Sequence, residues 1–280
     1  MQTAESNGGD GRSRRGGLMA SAGVPQLEYK SIRHQFVDGE RDFVAVDGIE
    51  LTVRQGEFLC IICPSGCGKS TLLNLAAGLI HPTEGTVLYR GEEVRGLNTD
   101  VGYVTQRDTL LPWRTAARNV SLPLEVQGVP EAERKERVEK VLELVGLHKR
   151  GNRYPSQLSG GMLKRTALAQ ILVYEPTTLL MDEPFGALDA QLRMSLQREL
   201  LEIWGRKSQT VLFVTHDLEE AILMGDRVVV FGANPGRIIH VEDVSLERPR
   251  DLVALRADPR FTSTWERLWS LLAPQITEKE

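Results

Sequence analysis

The sequence FLCIICPSGCGKST, at residues 58–71, decides the fold of this chain. It begins with five apolar residues in a row, which is typical of a β-strand that is buried on both faces. A glycine-rich turn follows, and residues 70–78 then have the apolar spacing of a helix. A buried strand, a glycine loop and a helix in this order form the context that a phosphate-binding loop requires.

The glycine-rich turn departs from the strict pattern G-x-x-x-x-G-K-[ST] at one position, because Cys63 stands where the first glycine is expected. Small residues in such a loop let backbone N–H groups surround phosphate oxygens, and the next helix adds the positive end of its dipole. Lys69 is expected to neutralise the β- and γ-phosphates of ATP, and the Ser70 hydroxyl to bind Mg²⁺. The expected ATP-binding residues of the loop are Ser65, Gly66, Cys67, Gly68, Lys69, Ser70 and Thr71.

All three cysteines, Cys60, Cys63 and Cys67, fall in this stretch. Their odd number and close spacing argue against the disulfide framework of a secreted protein. The spacing C-x2-C-x3-C raises the alternative of a metal or iron–sulfur site, but no second Cys or His cluster completes the ligand set. Cys63 and Cys67 lie close to a helix N-terminus and to Lys69, so we expect both to be reactive thiols.

Two acidic residues directly follow a second apolar strand, predicted at residues 178–181. Ligands of open α/β sheets bind at the carboxyl ends of the strands, which is where Asp182 and Glu183 fall. Asp182 is expected to help hold Mg²⁺. Glu183 is placed to polarise the attacking water as a general base. An apolar run before Asp-Glu is a weak signal by itself, and it gains its weight from the phosphate loop upstream.

The rest of the chain supplies the elements around these two strands. Further strands are predicted at residues 27–32 and 43–53, and residues 107–160 are predicted to form a helical insertion. Strands and helices then alternate, which predicts a mostly parallel sheet covered by helices. An amphipathic helix is predicted at about residues 258–272. The expected fold is an α/β P-loop NTPase, with a mostly parallel sheet core, an antiparallel β subdomain and a helical insertion.

Composition limits the possible partners. Residues 1–24 are rich in Gly, Ser and Arg, and we predict a disordered tail before a folded domain at residues 25–280; a wrongly assigned start explains the same composition equally well. The net charge of −4 argues against a nucleic-acid partner. No apolar run is long enough to cross a bilayer, and none follows the N-terminal arginines as in a signal peptide. We therefore expect a cytosolic protein that reaches a membrane only through a partner.

Residues 158–162, LSGGM, open a predicted helix and would by themselves indicate an ordinary helix cap. Together with the other motifs, they make the chain similar to the ATPases of ABC transporters. The resemblance extends from about Leu27 to the C-terminus. The motifs stand in the order of that family: the phosphate loop, Gln106, the LSGG sequence, Asp182-Glu183, Ala187-Leu188-Asp189 and His216.

The resemblance implies a head-to-tail homodimer. Each ATP would lie between the phosphate loop of one subunit and Ser159, Gly160 and Gly161 of the other, whose helix N-terminus supplies donors to the γ-phosphate. Gln106 would contact Mg²⁺ or the attacking water and connect the site to the helical insertion. His216 would bind the γ-phosphate and orient the water.

Two further positions are assigned by resemblance alone. Phe36 falls where the family stacks an aromatic ring on adenine, with Phe43 as the alternative, and Asp189 belongs to the residues around the nucleotide. The chain departs from the family at Cys63 and at Leu163-Lys164, where many members have Arg-Gln. These departures remove no group that performs chemistry.

A subgroup of the family is also indicated. The sequences LPWRT at 111–115, MDEPFGALDA at 181–190 and PGRI at 235–238 resemble the ATPases of nitrate, sulfonate, taurine and bicarbonate importers. The resemblance implies an ATPase on the cytoplasmic side of the cell membrane that drives uptake of a small anion. Integral-membrane permease subunits would contact the helical insertion, and a periplasmic or extracellular substrate-binding protein would act indirectly. The alternatives are a regulatory subunit with weak turnover and an ABC ATPase that acts outside transport.

Overall fold

The computed structural model describes most of the predicted domain. The tail predicted for residues 1–24 lies, apart from Val24, outside the described residues, and so does the predicted ATP ligand Ser65. Among the described helices, none is long and apolar enough to span a bilayer. The described residues are 24–38, 41–63, 66–106, 109–186, 188–207 and 209–277.

Ten strands and seven α-helices are described. The strands are β1 (Leu27–Asp38), β2 (Arg41–Val53), β3 (Phe58–Ile62), β4 (Glu84–Tyr89), β5 (Glu92–Glu93), β6 (Val101–Val104), β7 (Thr178–Asp182), β8 (Thr210–Thr215), β9 (Arg227–Gly232) and β10 (Arg237–Asp243). The helices are α1 (Lys69–Ala76), α2 (Ala116–Val126), α3 (Glu131–Leu144), α4 (Gly160–Leu172), α5 (Ala190–Lys207), α6 (Leu218–Met224) and α7 (Pro259–Thr277).

The central sheet has six strands in the order β10-β9-β3-β8-β7-β6. All neighbours pair in parallel except β10, which is antiparallel to β9 at one edge. Every residue of β3, β8 and β9 is buried. Continuous apolar strands are expected where helices cover both faces of a parallel sheet. The predicted α/β core is therefore confirmed.

The N-terminal strands form a second, antiparallel sheet in the order β2-β1-β4-β5. Both long strands extend further than predicted: β1 continues from residue 32 to Asp38, and β2 begins at Arg41 rather than 43. For β1, the reason is a bulge at Ser31, which has φ 51° and shifts the register against β2. A bulge breaks the two-residue apolar alternation from which a strand is predicted.

Alternate residues of β3 pack into two different cores. Phe58, Cys60 and Ile62 join a cluster that includes residues of α2, α3 and α7. Leu59 and Ile61 join the other cluster, with residues of α1 and of the antiparallel sheet. The α2 and α3 helices lie inside the segment predicted as an insertion. The C-terminal helix α7 runs to Thr277, beyond the predicted end at 272.

Candidate functional site

The predicted phosphate loop turns between β3 and α1 on glycines with left-handed backbone. Gly66 has φ 82° and Gly68 has φ 88°, a region that glycine enters without steric cost. At Gly68 a Cβ would also lie 2.6 Å from Val46 Cγ1 and 2.7 Å from the Ala45 carbonyl oxygen. The loop therefore needs glycine at this position both for its torsion and for its contact with β2.

Lys69 opens α1 and is only 7% exposed. Its Nζ lies 3.0 Å from Oε1 of Glu183 and 3.5 Å from the Cys63 carbonyl oxygen. The N-cap residue, Gly68, supplies no side-chain cap, so the first N–H groups of α1 are left for a ligand. A phosphate at this point would meet an ammonium group and the positive end of a helix dipole.

The structure corrects the expectation for two cysteines. Cys63 and Cys67 form a disulfide across the phosphate loop, with their Cα atoms 6.4 Å apart, and both residues are buried. In this state neither carries the reactive thiol that the sequence predicts. Cys63 does not have a positive φ, so the position gives cysteine no torsional penalty relative to glycine. Cys60 is a free, buried cysteine, and burial raises the pKa of its thiol well above the ordinary value.

Ser70 and Asp182 make the contact expected of a Mg²⁺ site. The Ser70 hydroxyl donates a 2.7 Å hydrogen bond to Oδ2 of Asp182, which joins the first turn of α1 to the end of β7. Burial raises the pKa of Asp182, while the hydrogen bond from Ser70 and the charge of Lys69 oppose this shift. A hydroxyl and a carboxylate are oxygen donors of the kind that Mg²⁺ prefers, and the pair fits the ion beside bound phosphates.

Glu183 lies between Lys69 and His216. Its Oε1 is 3.0 Å from Lys69 Nζ, and its Oε2 is 3.0 Å from Nδ1 of His216. Burial opposes ionisation, but the hydrogen bond and charge of Lys69, with His216, lower the pKa of the Glu183 carboxyl below its ordinary value. The carboxylate is therefore ionised and can accept a proton. The backbone of Glu183 has a φ of 45°, which is unusual for a residue other than glycine. Strained backbone of this kind is found most often at functional sites.

Gln106 lies just beyond β6, exposed to solvent. The backbone carbonyl oxygen of Gln106 accepts a 2.9 Å hydrogen bond from Nζ of Lys164 in α4. The predicted Gln106 loop is thereby connected to the helix that opens with the LSGG sequence. The sequence marks Lys164 only as a departure from the family, because the partner of a lysine depends on tertiary contact.

The LSGG sequence stands at the N-terminus of α4. Ser159 is the N-cap, and its hydroxyl accepts a 3.4 Å hydrogen bond from the Met162 backbone N–H. Gly160 faces open space, since a Cβ there would meet nothing within 4 Å. Gly161 is buried, with a Cβ position 2.6 Å from Leu192 Cδ2. The exposed end of a long helix is suited to an anion that approaches from outside the chain.

The two aromatic candidates for adenine face each other across the β1–β2 hairpin. Phe36 pairs with Phe43 in the register, and their exposed fractions are 43% and 50%. His34 packs edge-on against Phe36, with ring centroids 4.6 Å apart. Both rings are open to a planar ligand, so the geometry leaves the choice between them open. Asp189 accepts a hydrogen bond from the Leu192 backbone N–H, which makes it a helix cap of α5 in the single chain.

Comparison with known proteins gives one consistent result. Residues 46–186 match the family model described as ABC transporter. An uncharacterised ABC transporter ATP-binding protein from Methanocaldococcus jannaschii is 52% identical over 83% of this chain and 85% of its own length. A nitrate import ATP-binding protein from Synechococcus elongatus is 41% identical over 84% of this chain and 87% of its own length.

Solved structures show the same similarity. The chain superposes with a TM-score of 0.71 on an ATP-binding cassette whose structure is that of a dimer in a post-hydrolysis state, bound to ADP and Pi. The sequences are 31% identical, and the match covers 79% of this chain and all of the other.

Proposed function

This chain belongs to the ABC transporter family and is an ATPase, and we propose that it drives an importer of a small anion such as nitrate, bicarbonate, taurine or another sulfonate. The observation that carries the proposal for hydrolysis is the position of Glu183 between Lys69 and His216, beside the Ser70–Asp182 pair. The importer group is supported by the names of relatives about 40% identical to this chain, one of nitrate import and one of bicarbonate transport.

The contacts of Glu183 suggest how nucleotide binding prepares hydrolysis. Lys69 holds the Glu183 carboxylate at 3.0 Å. When ATP enters the phosphate loop, its β- and γ-phosphates compete for the same ammonium group, and Oε1 of Glu183 becomes available to a water molecule. Glu183 then removes the proton of that water while His216, on its other oxygen, steadies the carboxylate. Mg²⁺ held by Ser70 and Asp182 would neutralise charge on the phosphates.

The second half of the nucleotide site is proposed to come from another copy of the chain. Ser159 and Gly160 stand at the N-terminus of α4, where the Ser159 hydroxyl caps the helix, and the space around Gly160 is open. A related cassette is dimeric in a structure that holds ADP and Pi. We therefore place the γ-phosphate of each ATP between the phosphate loop of one subunit and Ser159 of the other, in a homodimer.

The helical insertion is proposed to contact the permease. A groove of about 1040 Å³ lies between α2 and α3, and Trp113 at its edge is 71% exposed. Arg114 and Glu125 form a 2.8 Å ion pair in the same groove. An exposed tryptophan beside a charged groove is typical of a protein-binding surface. Binding there would hold this ATPase at the cytoplasmic face of the membrane, with a substrate-binding protein acting from the far side.

Two measurements test the proposal. Phosphate release from MgATP by the purified chain, compared with Glu183→Gln, tests hydrolysis; equal release by both proteins would contradict the site. Transport is tested in two steps. The chain is purified with its membrane partner, and uptake of labelled nitrate, bicarbonate and taurine into vesicles is then measured. Failure of the chain to co-purify with any membrane protein, with hydrolysis intact, would support an ATPase outside transport. Slow hydrolysis in the complete complex would support a regulatory subunit.

A further inference from the structure

The turn between β9 and β10 packs against the phosphate loop and against β2. Gly236 donates a 2.9 Å backbone hydrogen bond to the Ala45 carbonyl oxygen, and its own carbonyl accepts a 3.0 Å bond from the Asp47 N–H. Arg237, the next residue, forms an ion pair with Asp47. The turn is thus attached to β2 by its backbone and by a side chain.

Gly236 leaves no room for a side chain on the side of the phosphate loop. A Cβ at this position would lie 2.1 Å from the carbonyl oxygen of Cys67 and 2.9 Å from that of Ala45. Both neighbours are backbone atoms, which cannot swing aside as a side chain does. Gly236 does not have a left-handed φ, so this glycine is required for space and not for torsion.

The same carbonyl of β2 touches both the turn and the phosphate loop. The Ala45 oxygen lies 2.7 Å from the Cβ position of Gly68 and accepts the hydrogen bond from Gly236. Gly68 directly precedes Lys69. Close contacts at Gly68 and Gly236 therefore join β2, the phosphate loop and the β9–β10 turn. A shift of the Cys67 carbonyl would also move Gly68 and Lys69, which follow it in the chain.

We propose that Gly236 is a positioning residue for ATP hydrolysis, which sets the backbone of the phosphate loop by close contact with Cys67. The proposal rests on the assignment of that loop as the ATP site. Relief of the contact to an ordinary distance needs a movement of about 1 Å, and misplacement by that amount can lower a rate by about a hundredfold. The bonds to Ala45 and Asp47 prevent the turn from absorbing the movement by itself.

The test compares two glycine-to-alanine variants of the full chain. Gly236→Ala is expected to bind a fluorescent ATP analogue at least tenfold more weakly and to hydrolyse ATP more slowly even at saturation. Gly232→Ala is the matched control at the other end of the turn, because its Cβ would meet flexible side chains of Ile239 and Gln275. Its ATP affinity and turnover should stay within twofold of wild type.

A second substitution separates positioning from loss of fold. Asp47→Ala removes the ion pair to Arg237 and leaves the two backbone bonds of the turn in place. The double variant Gly236→Ala/Asp47→Ala should therefore recover part of the lost affinity. Normal ATP binding by Gly236→Ala, or no recovery in the double variant, would overturn the proposal. If Gly236→Ala does not fold, the variant Arg237→Ala tests the proposal, because it loosens the same turn. Amide hydrogen exchange at residues 66–69 should then accelerate, and unchanged exchange would refute the positioning role of the turn. Failure of wild type to bind the analogue, or normal binding by Lys69→Ala, would instead contradict the ATP site itself.

Discussion

Replacement of Glu183 by glutamine removes the charge that Lys69 and His216 both contact at 3.0 Å, while the size of the side chain is kept. Loss of a general base lowers a rate by about 10²- to 10⁴-fold, which is roughly 3–5 kcal/mol of transition-state stabilisation. The phosphate loop is untouched by the change. We therefore expect Glu183→Gln to lose nearly all hydrolysis and to retain ATP.

ATP affinity should not fall, and the ion pair gives the reason. Two opposite charges 3.0 Å apart attract by roughly 5 kcal/mol at an effective dielectric constant of about 20, and ATP must compete with this attraction for Lys69. In Glu183→Gln there is no such competition. Trapped ATP should also hold the dimer together long enough to be seen by size-exclusion chromatography.

The assay measures phosphate release at saturating MgATP beside equilibrium binding of a fluorescent analogue. Glu199→Gln is a matched control, because Glu199 is paired with Arg165 outside the site and its loss should leave turnover within twofold. Turnover of Glu183→Gln at the wild-type rate would refute the role of the carboxylate. A tenfold loss of ATP affinity with intact fold would refute the competition for Lys69.

The lowered pKa of Glu183 adds a pH dependence. A carboxyl whose pKa is lower in the folded state contributes stability above its unfolded pKa of about 4.3, and this contribution is lost as the pH falls through the folded value. The difference in unfolding free energy between wild type and Glu183→Gln should therefore be constant from about pH 6 to 8 and shrink below about pH 4. A constant difference down to pH 3 in urea titrations would contradict the ion pair.

The remaining predictions concern the dimer, the adenine site and the cysteines. Ser159→Arg should abolish the ATP-bound dimer but spare ATP binding by the monomer, at a cost of about 1 kcal/mol in stability from the lost helix cap; equal loss of monomer binding would place Ser159 in the site of its own chain. Phe36→Ala should weaken ATP binding about tenfold, as loss of one stacking ring of roughly 1–1.5 kcal/mol requires, and Phe43→Ala should do so less; the reverse order in an ATP titration would assign adenine to Phe43. Alkylating reagents should leave the enzyme active until the Cys63–Cys67 disulfide is reduced, and MgATP should then protect it; inactivation of the unreduced enzyme, measured by phosphate release and mass spectrometry, would show that a thiol is free. Cys63→Gly should bind ATP within twofold of the reduced wild type, since Cys63 has no positive φ.

The sequence predicts four strands of the central sheet, β3, β7, β8 and β9, because each is a run of mostly apolar residues. A run such as Phe58–Ile62 has few alternatives once it is followed by a glycine loop and a helix. The outer strands were harder to predict. Strand β10 alternates between exposed and half-buried residues, β4 begins with two exposed residues, and β5 has only two residues, so their patterns do not stand out from loops. The bulge at Ser31 hides the second half of β1 in the same way.

The candidate site shows a similar division. Lys69, Asp182 and Glu183 could be assigned from motifs, because each follows a strand that the sequence predicts. The disulfide could not be predicted, since two cysteines four positions apart are bonded only if the loop brings their Cα atoms together. The contact between Gly236 and Cys67 joins distant parts of the chain, and no local pattern reports it.

The alternation of β3 between two cores has a consequence for the way such a subunit can diversify. Residues of one parity have α2, α3 and α7 among their neighbours, and residues of the other parity have α1 and the antiparallel sheet. The central sheet thus separates a hydrophobic core beside the phosphate loop from a hydrophobic core that includes the insertion. Exchanges of side chains on one side need compensation only on that side. If the insertion contacts a permease as proposed, substitutions that suit it to a different permease leave the packing around α1 unchanged.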